Sequence, residues 1–370
     1  MIDLKSVLRI LPVHVIYSRL DLQVALTIGE ELESLIATLG GVIPDRVIQK
    51  LDRPSSATYI GKGKILEVIE KIKDLDIDVV VLNAMVKPRQ VHALREELRR
   101  ANSQIQVWDR VDLILHIFDN HAVTQESKLQ IELARMNYMG PRIYGMGYVL
   151  SRQGGGIGTL GIGETNTELM KRHWRDEKKR IADQLEKISK SREQQLDRRK
   201  RAGYKTVSIV GYTNAGKSSL FNVLTGKNAL VEDELFATLD SSVGKIYLEE
   251  LRSEVLITDT IGFIRDLPPL LISAFKSTLM ESVHADLLLH VIDVSDPEVD
   301  TKIRVVNEIL IDLGREIKDV VYVFNKIDAA GDLDKNSLLE KYGSNFPIFI
   351  SVKTLKGIDQ IKEVIKEKLS

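Results

Sequence analysis

The 370 residues suffice for two or three domains, each large enough for its own core. Hydrophobic residues make up 44% and charged residues 28%, with a formal net charge of −1, so nothing global announces a nucleic-acid binder. The chain has no cysteine, which excludes disulfides, thiolate metal clusters and a cysteine nucleophile and suits a reducing cytoplasm. The start, Met1-Ile2-Asp3-Leu4-Lys5, lacks a basic segment followed by a long apolar one. No run approaches the ~18 apolar residues of a membrane span, so a soluble, cytoplasmic protein with no membrane role is expected.

Between residues 12 and 120 short apolar runs alternate with amphipathic stretches. Val13-His14-Val15-Ile16-Tyr17 predicts a strand, and Leu32, Leu35 and Ile36 share one face of a helix over 30–39. A helix over 64–72, the buried strand Asp78–Leu82, a charged helix over 90–100 and the strand Ile105–Trp108 follow. This alternation predicts a small open parallel sheet. Tyr59-Ile60-Gly61-Lys62-Gly63-Lys64 opens one of the helices, either as an anion site at its N-terminus or as a turn with solvated lysines. Asp109, Arg110 and Asp112 sit near the start of another helix, where acids cap amides and face the positive dipole end. His116 and His121 have no metal-ligand spacing and are read as structural.

The centre differs in character. A helix is expected over 126–139, then a glycine-dense segment from Ser151-Arg152-Gln153-Gly154 to Gly163, then a long charged helix from Glu164 to about Lys200. Antiparallel helices joined by a mobile tip fit this pattern. Between 171 and 201 thirteen Lys and Arg stand against six Asp and Glu. Such a local basic arm can meet an RNA backbone, while a solvated helix laced with i,i+4 ion pairs is the plainer alternative.

The third part opens with Gly211-Tyr212-Thr213-Asn214-Ala215-Gly216-Lys217-Ser218, a complete G-x-x-x-x-G-K-[ST] phosphate loop. It follows the apolar run Val207–Val210 and precedes the helix-like Ser219–Leu224, the strand-loop-helix setting that the motif requires. Backbone N–H groups would curl around the phosphates, Lys217 would reach the β- and γ-phosphates, and the Ser218 hydroxyl would ligate Mg²⁺. Asp259-Thr260-Ile261-Gly262 follows another apolar strand. The Asp259 carboxylate can hold the Mg²⁺ water shell and the Gly262 N–H can bond the γ-phosphate. Thr238, in Phe236-Ala237-Thr238-Leu239-Asp240, stands where a switch threonine would complete the metal shell, with Phe236 beside it in the nucleotide contact set.

Asn325-Lys326-Ile327-Asp328 follows the apolar run Val320–Phe324. Its Asp328 carboxylate can accept from guanine N1–H and the exocyclic amine, a donor pair that adenine lacks. Ser351-Val352-Lys353 would close over the base. GTP is therefore the expected substrate, with Lys217, Thr238 and Gly262 serving hydrolysis. Phe263 occupies the position where Ras-type GTPases orient the attacking water with glutamine, which predicts slow intrinsic hydrolysis and a water held by another group or a partner. For Asn214, a role holding a monovalent cation such as K⁺ beside the phosphates and a local loop hydrogen bond both remain open.

Taken together, Tyr59–Gly63, Asp109-Arg110, Lys128-Leu129-Gln130-Ile131-Glu132-Leu133-Ala134, Ser151–Glu164 and the phosphate loop with its partners resemble the HflX family of ribosome-associated GTPases over nearly the whole chain. The resemblance implies an α/β fold: a small parallel N-terminal domain at 1–120, a long helical hairpin with a Gly-rich loop at 121–201, and a Ras-like P-loop GTPase domain at 202–370. It implies binding to the large ribosomal subunit and its RNA, with a role in translation, ribosome rescue or ribosome biogenesis; separately, a monomer is expected. Some members also hydrolyse ATP at the N-terminal domain, so a dual-nucleotide RNA-remodelling enzyme is one alternative, and a GTP-regulated protein-binding scaffold is another. The chain departs from the family pattern at Leu160, Ile162, Asn166-Thr167 and Ser241-Ser242, where arginine, proline, Gln-Leu and Pro-Thr are usual. After Lys353 only one closing helix is expected.

Overall fold

Runs of Val, Ile and Leu four to eight residues long set the architecture, because a strand buried on both faces has no polar side to show. The computed structural model describes residues 7–17, 22–153, 160–227, 235–236, 242–249, 253–275, 279, 283–331 and 333–370. The chain divides into two compact units, one built from residues up to Asn120 together with Ile131–Ala182, the other from His121–Gln130 together with Asp183 onward.

The first unit carries a four-stranded parallel sheet in the order β2-β1-β3-β4. Its strands are β1 (Ile10–Tyr17), β2 (Val47–Leu51), β3 (Val79–Leu82) and β4 (Gln106–Asp109). The helices α1 (Leu22–Thr38), α2 (Lys62–Asp74), α3 (Pro88–Leu98) and α4 (Arg110–His121) link them and follow them. Every residue of β3 is buried, and Leu11, Val13, Val80 and Leu82 meet Val68, Val91 and Leu94 in one core. The helix expected from residue 30 starts at Leu22 instead. Gly29 lies inside it, where a Cβ would stand 3.5 Å from the His14 ring, an ordinary contact distance, so one glycine's poor helix propensity is outweighed by the rest of the helix. At the start of α2 the Gly61 amide donates to Gln49 Oε1 at 3.0 Å, and a Cβ there would stand 2.8 Å from Gln49 Nε2.

Asp109 closes β4 and caps α4. Its Oδ1 accepts the amides of Val111 and Asp112 at 3.0 Å each, while Oδ2 accepts the Val86 amide at 3.1 Å and the Tyr138 hydroxyl. The Asp109 amide in turn donates to Asp112 Oδ2 at 3.1 Å, the reciprocal arrangement of a capping box.

The long helices are α5 (Gln125–Gln153) and α6 (Leu160–Arg201). Residues 154–159 and the side chains of 151–167, which include the Arg152 and Gln153 expectation, lie outside the described residues. Within the first unit Trp174 Nε1 donates to Met136 O at 3.2 Å; within the second Arg192 pairs with Glu126 at 3.3 Å. On α6 Arg180 pairs with Glu177 and Lys190 with Glu186, so part of the basic surplus has local acidic partners.

The second unit carries a six-stranded sheet in the order β10-β9-β8-β5-β7-β6, parallel except for β6 against β7. The strands are β5 (Lys205–Gly211), β6 (Ser242–Leu248), β7 (Ser253–Asp259), β8 (Leu287–Asp293), β9 (Val320–Asn325) and β10 (Ile348–Phe349). Around them lie α7 (Lys217–Thr225), α8 (Pro269–Ala274), α9 (Val299–Asp312), α10 (Lys335–Tyr342) and α11 (Ile358–Leu369). The parallel strands place Gly211, Asp259, Asp293 and Asn325 at their carboxyl ends, the edge where open α/β sheets bind ligands. No helix among the described residues is long and apolar enough to cross a membrane.

Replacing Asp109 by alanine would leave buried amides without an acceptor, at a cost of about 2–4 kcal/mol, whereas Asp109→Asn keeps one oxygen and loses less. Urea unfolding of the two variants checks this. A stability loss below about 0.5 kcal/mol for Asp109→Ala, the level of an ordinary surface change, would contradict it.

Candidate nucleotide site

The central strand β5 delivers the loop 211–216 to the start of α7. Gly211 takes φ 151°, and a Cβ there would stand 2.2 Å from Val291 O on β8, so the strand can pass its neighbour only without a side chain. Gly216 takes φ 92°, and a Cβ there would fall 2.3 Å from Asn325 Nδ2. Asn214 is exposed and left-handed at φ 60°, a conformation that asparagine tolerates. Gly216 precedes α7 and supplies no capping side chain, and the amides of a helix start are suited to phosphate oxygens.

Lys217 points inward. It is 6% exposed, and its Nζ donates to Tyr212 O at 2.8 Å. Burial lowers its pKa to about 8, against the opposing pull of the Asp259 charge. Thr213 Oγ1 is buried without a hydrogen-bond partner in the same loop. His290 on β8 is held down to about 3 by burial and then by the charge of Lys217, so it stays neutral and offers the site no proton.

The Ser218 hydroxyl donates to Asp259 Oδ2 at 2.6 Å, bringing the first residues of α7 to the end of β7. A hydroxyl and a carboxylate are hard oxygen donors of the kind Mg²⁺ takes, so this pair fits the metal. No group of three His, Cys, Asp or Glu that could hold a metal occurs among the described residues. Protein ligation of Mg²⁺ would therefore be sparse, as is usual where phosphates and water complete its shell. Gly262 lies against the loop: a Cβ there would stand 2.7 Å from Thr213 Cγ2 and 2.8 Å from Lys217 Nζ. Phe263 is 1% exposed, its amide donates to Gly211 O at 3.1 Å, and its carbonyl accepts the Thr213 amide at 2.8 Å. The ring that stands where a glutamine was looked for is thus part of the core. Phe236 is likewise 2% exposed, at φ 61°, whereas Thr238 lies outside the described residues.

Asn325, 2% exposed, bridges the two halves of the site. Its Nδ2 donates to Ala215 O at 2.9 Å, and its Oδ1 accepts the Val352 amide at 3.1 Å. Lys326 takes φ 64° and pairs with Asp293 Oδ2 at 2.8 Å. The Ser351 hydroxyl, then the Asp328 amide and the charges of Lys353 and Lys326, hold the Asp328 carboxyl below the usual range, so it stays ionised and ready to accept two hydrogen bonds. Ser351 is fully buried, and its Oγ also accepts the Thr354 amide at 3.1 Å, while Lys353 is exposed at the surface. Ser219, the last residue of the expected phosphate set, lies half-buried in the first turn of α7.

The structure therefore gathers the phosphate loop, Asp259, Gly262, Asn325, Asp328 and 351–353 along one sheet edge. Sequence reasoning missed the Asp293 partner of Lys326 and the contacts of Tyr212, although Asp293 ends a legible apolar run just as Asp259 does. The arrangement can take the phosphates and magnesium at one end and an amide-bearing purine at the other.

Three family models match the chain: "GTP-binding GTPase N-terminal" at 28–119, "GTP-binding GTPase Middle Region" at 121–199 and "50S ribosome-binding GTPase" at 206–326. The chain is 45% identical over 341 residues to the GTPase HflX of Caldanaerobacter subterraneus subsp. tengcongensis, covering 92% of this chain and 76% of that one. It is 38% identical over 341 residues to the GTPase HflX of Escherichia coli, covering 92% and 79%. Among solved structures it is similar to a GTP-binding protein from the hyperthermophilic archaeon Sulfolobus solfataricus in complex with GDP, at 25% identity, TM-score 0.50 and coverage of 98% and 99%. The complex of SsGBP with GDP aligns at 26% identity, TM-score 0.55 and coverage of 97% and 98%.

The buried Lys217 is expected to make nucleotide binding pH-dependent. With its pKa lowered to about 8 from an ordinary 10.5, the empty site loses the lysine proton above about pH 8, and a bound phosphate would restore it. GDP affinity is expected to be flat below that pH and to fall above it, with uptake of about one proton per GDP near pH ~9. Calorimetry in two buffers of different ionisation enthalpy reads that uptake, and none at all would contradict the assignment of Lys217.

Proposed function

The chain belongs to the HflX family and is a GTP-hydrolysing enzyme, and we propose that it works as a Mg²⁺-dependent switch on the large ribosomal subunit. The observation that carries the nucleotide part is the Asn325 bridge, which joins the phosphate loop to the 351–353 loop and gives one molecule two ends to satisfy at once. Asp328 would select guanine, and the loop amides with Lys217 would take the β- and γ-phosphates. Ser218 and Asp259, joined by Thr238, would hold Mg²⁺, Asp259 through water. When bound, the metal neutralises charge on the phosphate oxygens. Gly262 would offer its amide to the γ-phosphate, and an exposed Asn214 would face a K⁺ ion. Gly211, Tyr212, Thr213, Ala215, Gly216 and Ser219 shape the phosphate end, Phe236 supports it, and Lys326, Val352 and Lys353 frame the base.

The ribosome part is supported by the match of 206–326 to a model described as a 50S ribosome-binding GTPase. It is also supported by the thirteen cationic residues of 171–201, of which many are exposed along α6. A three-part organisation, 1–120, 121–201 and 202–370, in a monomeric cytoplasmic protein is consistent with this role. Phe263 cannot hydrogen-bond a water, so intrinsic turnover would be slow and a partner would supply what the chain lacks.

GTP turnover measured with and without purified large subunits, with Lys217→Ala as the blank, is expected to rise at least ~10-fold, about 1.4 kcal/mol of barrier. Unchanged turnover together with no co-sedimentation in the GTP state would contradict the ribosomal role.

A further inference from the structure

Tyr212 fills the second position of the phosphate loop, where a side chain has no part in cradling phosphate, because that work belongs to backbone amides. Here the side chain is 5% exposed, and its hydroxyl oxygen accepts the Arg265 amide at 2.6 Å. The Arg265 guanidinium pairs with Glu298 at 2.8 Å, with the two side chains 12% and 14% exposed. The Lys302 ammonium stands 4.8 Å from the centre of the Tyr212 ring and pairs with Asp296. Glu298 and Asp296 lie just before α9, so the phosphate loop, the segment after Gly262 and the start of α9 are joined through two side chains.

The backbone adds to this. Gly211 O and the Thr213 amide both bond Phe263, which extends the β5 edge onto the residues that follow Gly262. Two main-chain bonds and the packing of its buried ring fix Phe263, and the Tyr212 hydroxyl and the Glu298 carboxylate bind Arg265. Gly262 is thereby held on Thr213 and Lys217, the two groups a Cβ at that position would strike.

We propose that Tyr212 and Arg265 are positioning residues for GTP hydrolysis, holding the 263–265 segment on the phosphate loop so that the Gly262 amide faces the γ-phosphate. Fixed donors aimed at developing charge are where electrostatic catalysis gains most, and here Phe263 brings no donor of its own. The inference rests on reading 211–218 as the phosphate loop. Because GDP has no γ-phosphate, a defect confined to Gly262 leaves GDP binding alone, whereas a general weakening of the loop does not.

The test is single-turnover GTP hydrolysis and GDP affinity for Tyr212→Phe, Arg265→Ala, Arg265→Lys and Glu298→Gln, with unfolding temperature for each. Tyr212→Phe, which deletes one hydroxyl, is expected to slow hydrolysis about 5- to 10-fold with GDP affinity within about twofold. Arg265→Ala and Glu298→Gln should each slow it similarly, their combination no more than either alone, and Arg265→Lys should recover most of the rate. Hydrolysis by Tyr212→Phe within about twofold of the parent overturns the proposal, as does a parallel loss of GTP and GDP affinity with a lowered unfolding temperature. Lys217→Ala separates the two readings. If it still binds nucleotide, the site assignment itself fails; if it does not while Tyr212→Phe is neutral, only the positioning role fails.

Discussion

The Asn325 carboxamide reaches in two directions, its NH₂ to Ala215 O in the phosphate loop and its oxygen to the Val352 amide beside the base loop. Both bonds are made where the side chain is 2% exposed, and a buried amide that loses a partner is left with an unsatisfied group costing about 1–3 kcal/mol. Two loops more than a hundred residues apart in sequence therefore share one anchor. Gly216 is bound to the same constraint, because the Asn325 amide occupies the space its Cβ would need. The spacing between the phosphate end and the base end follows from this side chain and from β5 and β9 flanking β8.

Around that anchor, local features point toward a bound anion. The inward Lys217 bonds a loop carbonyl and has its charge weakened by burial, the Thr213 hydroxyl is buried without a partner, and α7 begins without a side-chain cap. Each carries an electrostatic cost that a phosphate would remove. At the other end Asp328 is kept ionised by Ser351 and nearby lysines, which suits two-donor recognition of guanine. Between them Phe263 is used for packing rather than chemistry, and the missing water-orienting group follows directly from that choice.

Much of this was legible in the sequence because parallel strands write themselves as apolar runs ending in polar loops. Val207–Val210, Val255–Ile257 and Val320–Phe324 became β5, β7 and β9, and the motifs after them share one edge. The alternation in the first hundred residues likewise became the parallel sheet, and the acids at 109 and 112 became a cap. The edge strands β2 and β6 escaped notice because half-exposed strands mix Gln, Lys and Tyr into the pattern, and the buried central β8 also went unread because no nucleotide motif follows it to draw attention. The early start of α1 was hidden by Gly29, a poor helix former that reads as a break in the sequence. Asn325 was recognisable as part of a motif, but its two hydrogen bonds join residues far apart in sequence and exist only once the sheet has formed. The coupling of Tyr212 to Arg265 and Glu298 was hidden for the same reason.

The most direct measurement is the affinity of Asn325→Ala for GDP and for GTP beside that of the parent, with circular dichroism to confirm that the fold is kept. Removing the bridge frees both loops, so affinity for both nucleotides should fall at least ~10-fold, about 1.4 kcal/mol or one buried hydrogen bond. Affinities within about twofold of the parent in a folded variant would show that the two ends of the site are held by something else.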